Sequence, residues 1–166
     1  MIVIDSTPLI YLNKVSLSWI FGEIKTIISE SVYNEVVTEG KKRGDVDSFL
    51  AERLVKEGVI EVRKVKNSFK KNLENAGDLG KGEIETLCLA KEGNMIAIID
   101  ESIARSIGKI FNITVHGTFY LIFLMCKKGK LKKQEAKQKI EKMIELGWRV
   151  ETEKYLEFVK LLKEFQ

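Results

Sequence analysis

Short apolar runs and amphipathic stretches alternate along this chain. Five runs rich in β-branched and aliphatic residues have the length and composition of buried strands. The stretches between them carry apolar residues at helical spacing, with polar residues on the opposite face. The predicted strands cover residues 2–4, 26–28, 59–65, 95–99 and 113–115. Strands that alternate with helices predict an α/β fold with a parallel sheet and right-handed crossovers.

The first twelve residues contain the most informative single pattern. The strand at residues 2–4 ends at Asp5, and Ser6 and Thr7, which favour helix N-caps, precede Pro8, which suits a first helical position. This order places the Asp5 carboxylate at the carboxyl end of a buried strand, where ligands bind in open α/β sheets. From this segment alone, a purely structural role in which Asp5 helps to cap the helix stays open.

The pattern changes after residue 127, where long lysine-rich helices are predicted over residues 131–146 and 152–165. We expect a single domain over residues 1–166, with 131–166 as a C-terminal helical extension. This extension either completes the core or provides a docking surface for a partner, and the sequence leaves both roles open.

Composition narrows the class of protein only slightly. The chain has 166 residues, a net charge of +4 and a pI near 8.9, which permits binding to a polyanion without requiring it. No apolar run approaches the roughly 18 residues of a membrane span, and no secretory signal precedes the first strand. We therefore expect a cytoplasmic protein with no membrane partner. Cys88 and Cys126 lie in separate apolar stretches and are predicted to be buried thiols.

Four acidic residues are expected to meet at one edge of the sheet. Asp5 and Asp100 each follow a predicted strand, Glu35 lies near the start of the helix after the second strand, and Glu83 lies in the first turn of another helix. These helices begin at the carboxyl edge of a parallel sheet, so the four side chains should converge there. If the first and fourth strands are neighbours, Asp5 and Asp100 flank the topological switch point.

Such a cluster predicts a metal site. Carboxylates that face one another cannot all remain ionised without a counter-charge, and Mg²⁺ and Mn²⁺ prefer oxygen ligands. His116 is the only histidine, which disfavours a zinc site and a Ser-His-Asp mechanism. A metal ion held by acidic residues supports attack of water on a phosphate group.

Each acid also has a structural interpretation. Glu35 has Glu39 one helical turn further on, as expected for a solvent-facing charge, and acids such as Glu83 are favoured by the dipole at a helix start. Either Asp100 or Glu101 is a ligand, or both line the site. His116 is more typical of a turn or core residue than of a catalyst. Only the convergence of all four acids favours the functional interpretation.

The motifs in their order resemble those of a known family. The segments Asp5-Ser-Thr-Pro-Leu-Ile, Val32-Tyr-Asn-Glu35-Val, Leu79-Gly-Lys-Gly-Glu83 and Ile98-Ile-Asp100-Glu101 are similar to the acidic motifs of PIN-domain nucleases. The resemblance is to the branch related to VapC-type toxins of bacteria and archaea, and it extends over nearly the whole chain. It implies a three-layer α/β/α sandwich with a central parallel sheet of four or five strands, followed by C-terminal helices.

The resemblance also implies an activity and its residues. It implies a Mg²⁺- or Mn²⁺-dependent endoribonuclease, frequent homodimers and often a cognate antitoxin protein. Ser6 or Thr7 is implied to orient Asp5. Relatives often carry paired aspartates where this chain has Asp100 and Glu101, so the identity of the ligand there stays open. By position, the implied catalytic and metal-site acids are Asp5, Glu35, Glu83 and Asp100.

The expected function is therefore cleavage of single-stranded or loop RNA by metal-activated water, with a toxin role suggested by the resemblance. Lys81 and Arg105 are candidate phosphate contacts, and a surface ion pair is an equally good explanation for either. The alternative is a PIN-like module that binds RNA or protein without cutting, and the presence of all four acids favours the enzyme. An aspartyl-phosphate phosphatase is disfavoured because Thr7 replaces its second aspartate.

Overall fold

Five short strands form one parallel sheet in the computed structural model, which describes residues 1–66 and 69–165. The strand order is β3-β2-β1-β4-β5. Strands β2 and β3 therefore lie on one side of β1, and β4 and β5 lie on the other. The topological switch point therefore lies between β1 and β4. The strands are β1 (Ile2–Ile4), β2 (Thr26–Ser29), β3 (Ile60–Arg63), β4 (Ile96–Ile98) and β5 (Val115–His116).

Two compact units divide the chain, Met1–Gly117 and Thr118–Gln166. The first unit contains the whole sheet and the helices that connect its strands. A π-helical turn, Asn34–Glu39, joins α3 directly to α4. The helices are α1 (Ser6–Lys14), α2 (Ile20–Glu23), α3 (Glu30–Tyr33), α4 (Gly40–Arg43), α5 (Val46–Lys56), α6 (Lys70–Glu74), α7 (Lys81–Gly93) and α8 (Ser102–Ile110).

Both faces of the sheet are buried. On one face Val3, Ile27 and Ala97 pack with Leu87 and Cys88 of α7 in one apolar cluster. Alternate strand residues point to the opposite face, and they are fully buried as well. These residues are Ile4, Ile28 and Ile98. Burial on both faces explains the continuous apolar runs of β1 and β4, whereas the edge strand β3 alternates apolar and charged residues. The predicted α/β fold with a central parallel sheet is confirmed.

The second unit consists of three helices, α9 (Thr118–Lys127), α10 (Lys133–Glu145) and α11 (Thr152–Glu164). Phe119 of α9 stacks on Phe158 at a centroid distance of 4.7 Å and meets the edge of Trp148 at 5.1 Å. Helix α9 also packs against α10. The second compact unit therefore starts at α9, whereas the C-terminal extension was predicted to start at residue 131. Folding of residues 1–166 as one domain stays a prediction.

Several local features refine the predictions made from the sequence. Asp5, rather than Ser6 or Thr7, occupies the N-cap position of α1, and its side chain makes no capping hydrogen bond. Cys88 and Cys126 are buried free thiols, as predicted. No helix in the described part of the chain combines the length and the apolar character needed to cross a bilayer.

Candidate functional site

The carboxyl ends of β1 and β4 bring two acidic residues to the switch point. Ile4 pairs with Ile98 in the parallel register, and the backbone N–H of Asp5 donates to the carbonyl of Ile98 at 3.0 Å. This bond extends the ladder by one residue, so Asp5 is held against the end of β4. Asp100 follows β4 directly after Ile99. Since β1 and β4 are neighbours in the sheet, Asp5 and Asp100 flank the topological switch point, as expected for that strand order.

A pocket of about 370 Å³ opens beside Asp5, and we call it the acidic pocket. Three of the acids singled out from the sequence contribute to its wall, together with the hydroxyl-bearing residues that follow Asp5 and with Lys81. Three distant segments therefore meet here: the start of α1, the helix after β2, and the start of α7. The lining residues are Asp5, Ser6, Thr7, Ser31, Asn34, Glu35, Gly80, Lys81, Gly82 and Glu83.

Asp5 is the most perturbed acid of this group. Its side chain is buried, and burial raises its pKa from the ordinary 3.8 to about 7. The backbone amide of Ser6 works against this rise, whereas the negative charges of Glu83, Glu35 and Asp100 add to it. The same interaction shows that Asp100, which is not part of the pocket lining, lies close to the cluster. The three other acids thus all act electrostatically on Asp5.

Glu35 is held in place by the residue that follows Asp5. The hydroxyl of Ser6 donates to Oε2 of Glu35 at 2.8 Å. The hydroxyl of Ser6 thus contacts Glu35 while its backbone amide interacts with the Asp5 carboxylate, and the expected role of Ser6 or Thr7 in orienting Asp5 stays a prediction. Glu35 lies in the π-helical turn, and such turns insert an extra residue that changes the direction of the side chains around it.

Gly82 allows the start of α7 to approach the two other segments. A Cβ atom at this position would lie 3.1 Å from Oδ1 of Asp5 and 3.5 Å from Oε2 of Glu35. Any side chain here would therefore compete for space with both carboxylates. The glycine between Lys81 and Glu83 has a packing role at the site in addition to relaxing the backbone.

Glu83 has two roles at the start of α7. Its Oε2 accepts a hydrogen bond from the backbone N–H of Gly80 at 2.7 Å, which satisfies an amide at the helix start. Its pKa is raised by partial burial and then by the nearby charges of Glu101 and Glu35, against the opposing effect of the Gly80 amide. Glu83 therefore satisfies an amide at the helix start and also lines the acidic pocket.

Glu85, two residues further on, has a different environment. Its side chain is buried, accepts a hydrogen bond from the backbone N–H of Ser31 at 3.1 Å and lies 3.7 Å from the Nζ atom of Lys70. These contacts tie α7 to α3 and to α6, which is a structural role. Of the two acids in this turn, only Glu83 lines the acidic pocket.

Asp100 and Arg105 both lie against Gly117. A Cβ atom on Gly117 would lie 2.9 Å from Oδ1 of Asp100 and 3.1 Å from Nη1 of Arg105. Glu101 is the exposed N-cap residue of α8 and raises the pKa of Glu83. Each member of the Asp100–Glu101 pair thus acts on a different acid of the cluster. His116 is half-buried, and burial and then the charge of Lys109 lower its pKa.

Sequence reasoning did not single out Ser31 and Asn34 as site residues, yet both line the acidic pocket. The available signal was helical spacing, because positions three and four apart share a helix face and Ser31, Asn34 and Glu35 follow that spacing. The π-helical turn that carries Asn34 and Glu35 was not predictable from this periodicity.

The donor set fits a hard divalent cation. Carboxylate, hydroxyl and amide oxygens are the ligands that Mg²⁺ and Mn²⁺ prefer. Burial is the main cause of the raised pKa of Asp5, and the charges of Glu83, Glu35 and Asp100 add to it, so a nearby cation would favour the ionised form. Within residues 1–66 and 69–165, no group of three or more His, Cys, Asp or Glu side chains is already arranged closely enough to coordinate a metal ion.

Comparison with known proteins identifies one family. A family model described as a PIN domain matches residues 1–164, which is almost the entire chain. No curated protein and no solved structure matches the sequence.

Proposed function

We propose that this chain, which belongs to the PIN-domain family of nucleases, is an endoribonuclease that depends on Mg²⁺ or Mn²⁺. The observation that supports it is the convergence of Asp5, Glu35 and Glu83 from three distant segments around one pocket, with Asp100 close enough to raise the pKa of Asp5. Placing other acids around the buried Asp5 disfavours its ionised form, so packing alone does not explain why these acids converge.

Asp5, Glu35, Glu83 and Asp100 are the residues that would hold the cation, with Glu101 as a further candidate. The chemistry that a divalent cation supplies in such a site is activation of water and neutralisation of charge on a phosphodiester. The carboxylates are positioned in advance by the chain itself. The Ile98 carbonyl fixes the backbone of Asp5, Ser6 fixes Glu35, and the Gly80 amide fixes Glu83.

The substrate we propose is single-stranded or loop RNA. A splayed strand can place one phosphate in a small pocket, whereas the phosphates of a paired helix are held apart by its geometry. Lys81 lines the pocket and is exposed, so its ammonium group is available to an incoming phosphate. Arg105 is half-buried next to Gly117 and is the second candidate for this contact.

The resemblance to VapC-type toxins supports a narrower proposal, in which the protein is the toxin of a toxin–antitoxin pair and acts as a homodimer in the cytoplasm. A small reading frame directly upstream of its gene, encoding a protein that binds this chain and blocks cleavage, would support that role. Growth arrest on expression of the chain alone, relieved by the neighbouring gene product, is the corresponding measurement.

The central test is cleavage of a mixed RNA pool by the purified protein with Mn²⁺, with Mg²⁺ and with EDTA. We expect cleavage with either metal ion and none with EDTA. Asp5→Asn and Asp100→Asn should each reduce the rate about a thousandfold or more, because losing a metal-site charge removes several kcal/mol of transition-state stabilisation. Undiminished cleavage by Asp5→Asn would contradict the assignment of Asp5.

A matched pair of variants distinguishes a specific role of Glu35 in cleavage from a general effect of removing a negative charge from this part of the chain. Glu35→Gln should reduce cleavage strongly, whereas Glu39→Gln, one helical turn away and paired with Lys42 on the surface, should cleave at the wild-type rate. A second measurement is the melting temperature with added Mn²⁺, which should rise more for the wild type than for Asp5→Asn. RNA binding without any metal-dependent cleavage would favour the non-cutting module instead.

A further inference from the structure

The charge of this protein is distributed very unevenly. Residues 127–142 contain eight lysines and two glutamates, a net charge of +6, whereas the whole chain carries only +4. The remaining residues are therefore slightly acidic, with a net charge of −2. The excess is densest in residues 127–133, Lys-Lys-Gly-Lys-Leu-Lys-Lys, which we call the lysine turn. It contains five lysines and no acidic residue.

The lysine turn is an ordered connection between α9 and α10. Gly129 adopts a left-handed conformation with φ +68°. Its N–H donates to the carbonyl of Cys126 at 2.9 Å, and the N–H of Lys130 donates to the carbonyl of Met125 at 3.0 Å. This is the usual glycine-centred way of ending a helix. The backbone of the turn therefore presents its lysines from a defined framework rather than from a disordered tail.

The lysines of the turn are exposed, and two of them have no nearby counter-charge among the described residues. Lys128 and Lys132 have no ion-pair partner in the described part of the chain. Elsewhere in the same unit lysines are neutralised by nearby glutamates. The pairs are Lys137 with Glu141, Lys142 with Glu145, Lys154 with Glu151 and Lys160 with Glu164. The positive charge of Lys128 and Lys132 is therefore directed to solvent, whereas Lys127 lies over the ring of Phe123 and Lys133 donates to the carbonyl of Phe165.

The position of two of these lysines is also unfavourable for the helix that follows. Lys132 is the N-cap residue of α10 and makes no side-chain capping bond, and Lys133 is its first helical residue. Cations at a helix N-terminus oppose the helix dipole, which favours anions there. Glu135 is the only acid in the first turn. A bound anion would remove this unfavourable arrangement.

From these observations we propose that the lysine turn binds the phosphate backbone of RNA. This inference rests on the proposed function for the identity of its ligand. Lysines release counterions when they contact phosphates, which makes such a surface attractive to nucleic acid of any sequence. The turn thus supplies affinity and not cleavage specificity.

The chemistry of the turn favours nucleic acid over other anionic partners. Basic segments that bind membranes combine lysines with exposed apolar anchors, but Leu131, the only apolar residue of the turn, is buried. The centres of protein–protein interfaces are depleted in lysine and enriched in aromatic residues, and the turn has no aromatic residue. A polyphosphate backbone is the partner that needs only exposed cations.

The test measures binding of a fluorescently labelled single-stranded RNA in EDTA at several salt concentrations, so that cleavage does not interfere. The variant Lys127→Gln/Lys128→Gln/Lys132→Gln should bind about tenfold more weakly than the wild type. The slope of log affinity against log salt should decrease in magnitude by about two, as expected when three cations no longer contact a single strand. Circular dichroism of the same variant verifies that it is folded.

The matched control is Lys142→Gln/Lys154→Gln/Lys160→Gln, which removes the same charge from the same unit at lysines that are already ion-paired. Its affinity and salt slope should stay close to wild type. Wild-type affinity and salt slope in the lysine-turn variant would overturn the inference. Lysine-dependent binding to vesicles that contain phosphatidylserine, with unchanged RNA binding, would overturn it in favour of a membrane surface.

The same set of proteins separates this inference from the proposed function. Asp5→Asn should lose cleavage and keep RNA binding in EDTA. If the wild type binds RNA through the lysine turn but never cleaves it, the nuclease proposal fails and the binding surface stands. If the wild type cleaves RNA but the lysine-turn variant binds and cleaves equally well, the nuclease proposal stands and the binding surface fails.

Discussion

The acidic pocket of the first unit brings acids together around the buried Asp5, whereas the lysine turn of the second unit gathers lysines that are all exposed. Asp5 is buried, and its pKa rises to about 7 because burial and then three neighbouring acids disfavour its ionised form. The lysines of the turn are exposed to water. Water and salt screen exposed charges, whereas buried like charges repel through a medium of lower dielectric constant.

This contrast explains how each region relates to stability and to function. The pocket holds its acids together at a cost to the folded state, so a counter-charge from a cation would stabilise the protein. The lysine turn costs little, so its charge can serve binding without being compensated inside the chain. Measurements of stability and of cleavage therefore separate the two regions.

The largest difference should be seen in the pH dependence of stability without metal. The pKa of Asp5 is about 7 in the folded protein and near the ordinary 3.8 when unfolded, so the folded state binds the proton more tightly. Its stabilising contribution is complete below about pH 4 and is lost as the pH rises through 7. At about 1.4 kcal/mol per tenfold change in proton affinity, the loss amounts to roughly 4 kcal/mol.

Urea denaturation in EDTA at pH values between 4 and 8 measures this effect. Asp5→Asn should flatten the curve and unfold at higher urea than the wild type at pH 8, because it removes one of the repelling charges. The lysine-turn variant should retain the wild-type pH dependence. A wild-type stability that increases steadily from pH 5 to 8 would contradict the assigned environment of Asp5.

A smaller effect is expected from the close approach at Gly82. Gly82→Ala places a methyl group about 3 Å from the Asp5 carboxylate and should reduce metal-dependent cleavage about tenfold, as changes that displace metal ligands do. Gly22→Ala is the matched control, because nothing lies within 4 Å of its Cβ position. Kinetics with Mn²⁺ compare the two, and equal cleavage rates would show that the approach at Gly82 is not needed.

The smallest effect should come from the lysine turn. Neutralising Lys127, Lys128 and Lys132 together should change the free energy of unfolding by no more than about 0.5 kcal/mol, since surface charges away from buried features contribute little. The sign should be stabilising if removing Lys132 relieves the unfavourable interaction with the dipole of α10. Urea denaturation at neutral pH measures it, and a large loss of stability would indicate a structural role for the turn.

Elements with strong local patterns were predictable. Strand β1 was predicted with its observed bounds, because an apolar run that ends in a polar residue and a helix start is a local signal. The predicted third strand, 59–65, is longer than the observed Ile60–Arg63. The acids at strand and helix ends were recognisable for the same reason, since their positions follow from where each element begins or ends.

Residue environments that depend on distant contacts were not predictable. Nothing in the local pattern distinguishes Glu83, which lines the acidic pocket, from Glu85, which pairs with Ser31 and Lys70. The hydrogen bond from Ser6 to Glu35 spans 29 positions of sequence, and it exists only because the two helices begin at the same edge of the sheet.

The sequence by itself determined the succession of strands and helices, the acids at their ends and the run of lysines at 127–133, because each is encoded by residues that are neighbours in the chain. The tertiary structure alone decided that β4 lies next to β1 and that Asp5, Glu35 and Glu83 share a pocket. Strand order follows from which apolar faces are buried together over the whole sheet, and periodicity within one segment carries no information about that choice.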